Sequence, residues 1–179
     1  PAIFGDGGNK FAKFKLAQSI PHPMMEKPIM KILDVTETKY RDILAGKEQL
    51  GSFGTGSTAI GKALESLNVE KEKAEARRKI KTGARTSRDK AIVKLRYLNA
   101  IEKHQLKPQE LMLDQVPVIP PLYRPISKLD GKGTPLIDGL NHLYQQMMYA
   151  DNNLKEIRNF SDDDSNERLA AYDTVKAVM

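Results

Sequence analysis

Residues 116–125 of the chain read Val116-Pro117-Val118-Ile119-Pro120-Pro121-Leu122-Tyr123-Arg124-Pro125. Four prolines in the nine residues from Pro117 argue against a helix, because proline lacks a backbone N–H donor and restricts the residue before it. The segment is therefore expected to be extended or polyproline-like. The apolar side chains between the prolines predict that it packs on the core. We call residues 116–125 the proline strap.

The segments on either side of the proline strap predict a short helix and a mobile loop. Pro108 suits the first turn of a helix over residues 108–115. After the strap, Gly131 and Gly133 give the backbone freedom, so residues 129–135 are expected to be a mobile loop.

Residues 140–179 carry the clearest periodic pattern. Asp138 can cap a helix, and residues 161–165 turn the chain into a second helix that begins near Asn166. Apolar residues of the first helix follow spacings of 3 and 4, the repeat of a coiled-coil seam: Leu140, Leu143, Met147, Ala150, Leu154 and Ile157. The pattern predicts a helical hairpin. Its second helix is shorter than the first, as a truncation would leave.

The first 68 residues predict one strand and two short helices. Residues 10–20 read as a strand ended by prolines, and Thr36 to Ala45 reads as a helix. After a glycine-rich loop, Ser57 or Thr58 can cap a further helix. The core-facing residues of that helix are expected to be Ile60, Ala63, Leu64 and Leu67.

Residues 69–107 form a strongly basic segment with thirteen basic and five acidic residues, a net charge of +8. The segment predicts two helices joined at Thr82-Gly83. The second runs from about Ser87 to His104, with Ile92, Leu95, Leu98 and Ile101 at helical spacing. Two such helices predict an antiparallel hairpin that projects from the core. Its charge could neutralise phosphates, or it could be a solvated helix face.

Composition sets the class of protein. The 179 residues are 40% hydrophobic and only 6% aromatic, without tryptophan, so the core must be aliphatic. Charged residues at 29% are typical of a soluble, largely helical protein. No apolar run could span a membrane, and the N-terminus lacks the pattern of a signal peptide. The absence of cysteine excludes disulfides and fits an intracellular protein.

No catalytic or metal-binding constellation is visible in the sequence. Gly56 to Lys62 spells Gly-x4-Gly-Lys but lacks the following Ser or Thr of a phosphate-binding loop, and a glycine-rich loop entering a helix is the better interpretation. The three histidines do not form a metal-ligand pattern. Residues 162–164 are three consecutive aspartates; they could bind a cation, but a solvated turn is the expected interpretation.

The proline strap and the residues after it resemble a known family. The family writes the strap as Val-Leu-Pro-Val-Leu-Pro-Pro-x-Leu-Arg-Pro-Leu, then Leu-Asp-Gly-Gly, then Leu-Asn-Asp-Leu-Tyr. This chain has Leu129-Asp130-Gly131 and Leu140-Asn141-x-Leu143-Tyr144 in the same order. On these residues the chain is similar to the largest (beta-prime) subunit of multisubunit RNA polymerases. Weaker similarity continues to Asn166-Glu167 and, upstream, covers Lys15-Leu16-Ala17, Ile32-Leu33-Asp34-Val35 and Gly56-x-x-Ala59-Ile60.

The resemblance implies a fold and a set of partners. It implies an RNA polymerase clamp that is mostly α with a small β component and two projecting helical hairpins. Residues 1–128 would be the clamp core with the basic hairpin at 69–107, residues 129–139 the lid, and residues 140–179 the clamp helices. Expected partners are the beta subunit, the rest of beta-prime, template DNA, the RNA transcript and a sigma-like initiation factor, with no membrane. The expected location is the cytoplasm, or a virion if the gene is phage-encoded.

The resemblance also implies two groups of binding residues. Contacts with nucleic acid are expected from Arg124, Lys128, Lys132, Arg77, Arg78 and Lys79. Arg124 could instead be structural, paired with a clamp carboxylate. The initiation factor is expected to meet Gln145, Tyr149, Asn153 and Lys155 on one exposed side of the first clamp helix. A merely solvated face is the alternative for each of these four.

Three departures from the family pattern limit these expectations. The cysteine zinc ribbon and the Asn-Ala-Asp-Phe-Asp-Gly-Asp magnesium loop of the family are absent. No catalytic residue, metal ligand or cofactor is therefore expected here; magnesium belongs to the complete nucleotidyltransferase. The family's clamp-helix arginines are replaced by Gln145, Gln146, Ala150 and Asn153, which predicts a divergent, for example phage-encoded, enzyme with its own factor. A free-standing basic nucleic-acid-binding protein and a protein-interaction module are the alternatives.

Overall fold

The computed structural model describes residues 11–128, 135–160 and 164–179. In these residues the chain forms seven α-helices and four β-strands, which confirms the predicted mostly α fold with a small β component. The chain divides into two compact units. We call residues 1–18 with 114–179 the strap unit, and residues 19–113 the five-helix unit.

The elements follow one another in a simple order. The five-helix unit holds the helices α1 (Glu26–Leu33), α2 (Glu37–Ala45), α3 (Gly56–Glu65), α4 (Val69–Thr82) and α5 (Arg85–Lys103). Strands β1 (Ala12–Pro21) and β2 (Met112–Val118) pair with each other and each continue from one unit into the other. The strap unit then adds β3 (Ile126–Lys128), β4 (Pro135–Ile137), α6 (Gly139–Ile157) and α7 (Ser165–Val178).

Aliphatic side chains fill the core of the five-helix unit, as the composition predicts. Fully buried residues come from four of its helices: Ile29, Ile32, Tyr40, Ile43, Leu44, Ile60, Leu64 and Leu98. The predicted helix at 36–45 is confirmed, with Thr36 Oγ1 accepting a hydrogen bond from the Lys39 N–H at 3.3 Å. Helix α1 is not among the elements predicted from the sequence; it is only eight residues long, and its C-cap residue Asp34 has a left-handed conformation with φ of 53°.

The start of α3 differs from the prediction. Thr55, not Ser57 or Thr58, occupies the N-cap position, and it makes no side-chain capping bond. Gly56 has φ of 78°, which glycine adopts without the penalty that a Cβ imposes. The chain therefore enters the helix earlier than predicted. Ser57 lies in the first turn and is buried.

Helices α4 and α5 form the predicted hairpin, with Gly83 at the C-cap of α4. Asn68 caps α4 by accepting a hydrogen bond from the Lys71 N–H at 3.0 Å. The buried face of α5 is Ala91, Leu98 and Ile101. The predicted Ile92 is 45% exposed, because α5 packs against both α4 and α1 and the face between them passes through Ala91 instead.

The region before and within the proline strap is more strand-like than predicted. The expected helix over 108–115 is a single 3₁₀ turn, Pro108–Leu111, and β2 begins at Met112. Pro117 lies inside β2, which is tolerated because both strands of a two-stranded sheet are edges. Pro121–Tyr123 forms another 3₁₀ turn, so the strap is not extended throughout.

The segment after the strap is a small antiparallel ribbon followed by the helical hairpin. Strand β3 pairs with β4, with Ile126 opposite Ile137 and Lys128 opposite Pro135. Residues 135–137 of the predicted loop and lid are therefore a strand, and residues 129–134 lie outside the described residues. Asp138 caps α6 as predicted, its Oδ1 accepting a hydrogen bond from the Leu140 N–H at 2.8 Å.

Candidate functional site

A buried network fixes the proline strap against α6. Arg124 is only 3% exposed. Its Nε donates to the Ile119 carbonyl at 2.8 Å, and its Nη1 donates to the side-chain oxygen of Asn141. Asn141 in turn donates to the Arg124 carbonyl at 3.0 Å. Tyr144 accepts from the Ile119 N–H at 3.1 Å, and the guanidinium carbon lies 5.4 Å from the centre of its ring.

This network bears on the two interpretations of Arg124. Burial lowers the pKa of Arg124 below its ordinary value, and the nearby Tyr144 acts in the opposite direction. A guanidinium this deep does not present its donors to a phosphate, so the geometry favours the structural alternative. One of its partners is the amide of Asn141. Arg124 holds the strap in place.

Helices α6 and α7 pack as a hairpin, but the buried face of α6 is rotated from the predicted seam. Met147 and Leu154 are buried as predicted. The other buried positions are Asn141, Tyr144 and Asp151. Leu140, Leu143, Ala150 and Ile157 are only half-buried. The reason is that α6 contacts β1 and the strap as well as α7. Backbone N–H groups of β1 and the strap donate hydrogen bonds to polar side chains of α6.

Asp151 shows this rotation most clearly. The carboxylate is 3% exposed, and its Oδ1 accepts a hydrogen bond from the Ala17 N–H of β1 at 2.6 Å. Lys155 Nζ lies 2.7 Å from Asp151 Oδ2 and 6.0 Å from the centre of the Phe14 ring. Lys155, which the sequence predicts to bind the factor, thus contacts Asp151 on its own helix α6 and Phe14 on β1.

The other predicted factor-binding residues do share one surface. Gln145 Nε2 donates to the Tyr149 hydroxyl at 3.3 Å, and Tyr149 is 60% exposed. A groove of about 370 Å³ lies between α6 and α7, and it is lined by Gln146, Tyr149, Ala150, Asn153, Asn166, Glu167 and Ala170. Lys155 projects about 200° away from Asn153 around the helix, so it does not belong to this groove.

The structure adds the α7 side of this groove to the predicted surface. Sequence reasoning looked only along α6 and so missed Asn166, Glu167 and Ala170. Asn166 and Glu167 lie in the first turn of α7, and Ala170 lies about one turn further along the helix. Pairing the two helices of the predicted hairpin would have brought them opposite Tyr149 and Asn153. Glu167 is the one charged residue among the groove-lining residues that the structure describes.

The turn of the α6–α7 hairpin is held by Asp164, which is 5% exposed. Its carboxylate lies 3.2 Å from Arg158 Nε and 2.6 Å from Arg168 Nε. Arg158 also donates to the Gln18 side chain of β1. Burial raises the pKa of Asp164, but the hydrogen bonds from Arg168 and Arg158 outweigh it, and the pKa lies below the ordinary 3.8.

The aspartate run therefore does not behave as a cation site at its described member. Asp164 is engaged by two arginines, and Asp162 and Asp163 lie outside the described residues. Among the residues the structure does describe, no group of three acidic or histidine side chains could hold a metal ion. Within the same residues, no helix is both long and apolar enough to cross a membrane.

Ion pairs join helices α4 and α5 of the basic hairpin. Lys73 is 4% exposed, and its Nζ lies 2.8 Å from Glu102 of α5 and 3.3 Å from Glu70. The hydrogen bond from Lys73 to Glu102 is the largest cause that raises the pKa of Lys73 above 10.5. Lys94 pairs with Glu72 at 2.6 Å. Some of the basic residues of the segment therefore form ion pairs within the hairpin.

The three predicted nucleic-acid residues of the hairpin do not share one face. Arg77 and Arg78 are exposed, and neither makes an ion pair with another described residue. Lys79 pairs with Glu75 at 2.7 Å, and this hydrogen bond raises its pKa. Lys79 also lines a cavity of about 210 Å³ between α1, α4 and α5. Arg77 and Lys79 project about 200° apart on α4.

The remaining predicted contacts with nucleic acid stay predictions. Lys132 lies outside the described residues. Lys128 is the last residue of β3. It pairs with Pro135 of β4, next to the Ser127–Leu136 pair. Residue 128 thus immediately precedes the segment 129–139 predicted as the lid, and residue 135 lies within that segment.

Similarity to characterised proteins covers most of the chain. No protein-family model matches it. The DNA-directed RNA polymerase subunit beta' of Acetivibrio thermocellus is 32% identical over 157 residues, which cover 86% of this chain and 13% of that protein. The Streptococcus pneumoniae subunit is 36% identical over 149 residues, 82% of this chain and 12% of that protein. This chain belongs to the beta-prime family.

The beta-prime similarity extends across both units. The subunit of Alkaliphilus metalliredigens is 30% identical over 172 residues, which are 94% of this chain and 14% of that protein. The chain thus spans between 12% and 14% of the length of these three beta-prime relatives. The resemblance that the proline strap indicates is confirmed. The sequence departures at Gln145, Gln146, Ala150 and Asn153 fall on or beside the α6–α7 groove of this beta-prime segment.

Proposed function

We propose that this chain is part of a DNA-directed RNA polymerase and acts in transcription as its clamp region. The observation that carries the proposal is the similarity to beta-prime subunits over most of the chain, across both units. In that role it contributes binding surfaces to a nucleotidyltransferase. The catalytic aspartates and their magnesium would be supplied by another part of the enzyme.

Assembly with polymerase subunits tests this proposal. The tagged chain is co-expressed with the beta subunit and the remaining beta-prime sequence encoded in the same genome, and the complex is purified through the tag. We expect stoichiometric recovery of both partners and template-dependent RNA synthesis that requires the chain. Failure of the chain to associate with either partner would contradict the proposal and favour the free-standing alternatives.

We also propose that the α6–α7 groove docks an initiation factor. Support comes from the exposed Tyr149, from its hydrogen bond with Gln145, and from Asn153 beside it. The groove offers amide and hydroxyl groups where the family has arginines, so we expect a housekeeping sigma factor to bind poorly. Lys155 contributes indirectly, through its contact with Asp151.

A binding measurement tests the factor preference. The assembled polymerase is titrated with a bacterial housekeeping sigma factor, and we expect no binding at micromolar concentration. The variant with Gln145→Arg and Asn153→Arg restores two arginines and should bind more tightly. Micromolar or tighter binding by the unmodified enzyme would contradict the proposed preference, while leaving the polymerase assignment in place.

Residues 129–139, of which 135–137 form β4, are proposed as the lid that separates transcript from template. Lys128 and Lys132 are proposed to contact nucleic acid there, together with Arg77, Arg78 and Lys79 on the hairpin. The support is positional: the ribbon follows the strap that Arg124 and Asn141 hold on α6. Lys128→Gln with Lys132→Gln is expected to leave longer RNA–DNA hybrids, measured by nuclease footprinting.

A further inference from the structure

The α6–α7 hairpin contains more acidic than basic residues. Residues 138–179 hold eight acidic and four basic side chains. Three of the four basic side chains are in ion pairs with acids of the same hairpin. Lys155 pairs with Asp151, and two arginines pair with Asp164. These three cations are therefore engaged inside the hairpin, and its other acids keep their negative charge for the surface.

Two carboxylates of this kind lie at the α6–α7 groove. Glu167 lines the groove from the first turn of α7. Glu156 follows Tyr149 by seven residues, which places it on the same side of α6 about 10 Å further along the helix. Neither acid makes an ion pair with another residue that the structure describes. Because Glu156 is in the last turn of α6, both acids lie at the end of the groove nearest the hairpin turn.

Glu156 occupies a position that its own helix does not favour. The C-terminal end of a helix carries a partial negative charge, which disfavours a carboxylate in the last turn. The residues three and four positions away on the same helix face are all uncharged, so no cation there compensates: Asn152, Asn153, Asn159 and Phe160. The stability of α6 therefore does not explain the acidic residue, whereas a cationic partner does.

The remainder of the groove is uncharged and suits a helix. Two small side chains, Ala150 and Ala170, lie among longer amide side chains in the groove of about 370 Å³. They leave space for an apolar side chain of a partner, as in complexes where an amphipathic helix lies in a groove. Tyr149 is 60% exposed, and its ring can also hold a guanidinium or ammonium group.

The sign of the charge favours one class of partner. Among the residues that the structure describes, no basic side chain lines the groove, so a phosphate backbone finds no counter-charge there. Arginines at this face would attract an acidic partner. In this chain the corresponding positions, Gln145, Gln146, Ala150 and Asn153, are uncharged, and the two glutamates remain. The docking face is therefore complementary to a basic protein surface.

We propose that the α6–α7 groove binds a basic amphipathic helix of a protein partner, with a lysine or arginine of that helix facing Glu156 and Glu167. This choice of partner rests on the proposed docking of an initiation factor. It goes further, because it gives the docking helix a charge opposite to the one that the family's arginines would select.

Selection from a helix library on the full chain tests the groove. The probes are displayed helices of about 20 residues with leucines at spacings of 3 and 4, and with acidic and basic residues at equal frequency elsewhere. Helices that also bind the Ala170→Trp variant are discarded, because this exposed substitution fills the groove without changing its charge. We expect the retained helices to be net positive and to share a lysine or arginine at one position.

Fluorescence anisotropy with the most enriched helix as a synthetic peptide then tests the two glutamates. In the groove variant, Glu156 and Glu167 become lysine. The control variant makes the same change at two exposed acids outside the hairpin, Glu65 and Asp114. We expect the groove variant to bind at least tenfold more weakly at 0.1 M salt, and the control variant less than twofold more weakly. Exchange of the shared cation of the peptide for glutamate should restore binding to the groove variant.

Circular dichroism verifies that the variants keep their helical content. If the lysine variant does not, Glu156→Gln with Glu167→Gln takes its place, and we expect binding to be at least threefold weaker. Retained helices that are acidic or neutral, equal weakening in the groove and control variants, or no recovery after the charge exchange would each overturn the proposal. A selection that leaves no helix after the Ala170→Trp step would overturn it as well.

Assembly with the polymerase subunits is measured separately on the unmodified chain. If the chain assembles but its groove selects acidic helices, the preference for a basic partner is wrong and the polymerase assignment stands. If the groove selects basic helices but the chain does not assemble, the polymerase assignment fails and the charge preference of the groove stands.

Discussion

Arg124 and Asn141 bond to each other in both directions. The guanidinium donates to the amide oxygen, and the Asn141 amide nitrogen donates to the Arg124 carbonyl at 3.0 Å. One residue belongs to the proline strap and the other to the first turn of α6. The pair therefore fixes where the helical hairpin begins relative to the strap, within a single compact unit.

Loss of the Asn141 side chain should destabilise the strap unit. Asn141→Ala leaves a buried guanidinium and a buried carbonyl without these partners, at a cost of about 2–3 kcal/mol for hydrogen bonds that involve a charged group. The measurement is the urea midpoint followed by circular dichroism. Asn152→Ala, at an exposed position of the same helix, is the matched control and should change the free energy of unfolding by less than about 0.5 kcal/mol. Equal effects of the two substitutions would contradict the network.

Substitution of Asp164 should remove part of the pH dependence of stability. The folded-state pKa of Asp164 is below 3.8, so its contribution is present above that pH and is lost as pH falls through the folded value. Asp164→Asn is expected to cost about 2 kcal/mol near pH 7, and the gap to the unmodified chain should narrow below pH 4. Thermal unfolding across pH 2–7 measures this.

The exposed carboxylate of Asp114 provides the comparison for Asp164. Asp114→Asn should lower the melting temperature at neutral pH by less than Asp164→Asn does. If Asp164→Asn gives the same profile as Asp114→Asn, the contacts with Arg158 and Arg168 do not stabilise the hairpin turn.

Removal of the buried face of α6 should show which seam holds the hairpin. Met147 is 1% exposed, and Met147→Ala is expected to cost about 2–4 kcal/mol through reduced burial and the cavity that remains. The heptad pattern predicts that Leu143 is as buried as Met147, but Leu143 is half-buried. Leu143→Ala should therefore cost about 1 kcal/mol. Chemical denaturation of both variants measures the difference. A Leu143→Ala cost equal to or above that of Met147→Ala would support the heptad seam.

The Lys73 bridge should stabilise the basic hairpin more than its exposed neighbours do. Lys73→Ala removes the contacts with Glu102 and Glu70 and the burial of the aliphatic stem. We expect a lower melting temperature than for Lys71→Ala, which removes an exposed lysine from the same helix. Because the pKa of Lys73 is raised, its contribution should be complete at neutral pH and be lost only as pH rises through the folded value. Equal melting temperatures for the two variants would contradict the bridge.

The sequence by itself determined several element boundaries and the family. The threonine before α2, the glycine after α4 and the aspartate before α6 act on neighbouring backbone groups, so local chemistry predicts those boundaries. The strap motif and the similarity it carries identify the beta-prime family without any structure. The basic character of the hairpin was also visible, since charge counts need no coordinates.

Tertiary structure decided which residues of each element matter. Helix periodicity predicts that a helix has an apolar face, but not which residues of that face are buried. The buried residues depend on how many neighbouring elements the helix contacts. Helix α6 meets β1 and the strap as well as α7, and its buried face therefore passes through Tyr144 and Asp151. For the same reason Arg124 and Lys73 are buried and paired with distant residues, whereas Arg77 and Arg78 stay exposed. Long-range contacts, which sequence spacing does not encode, separated the structural cations from the available ones.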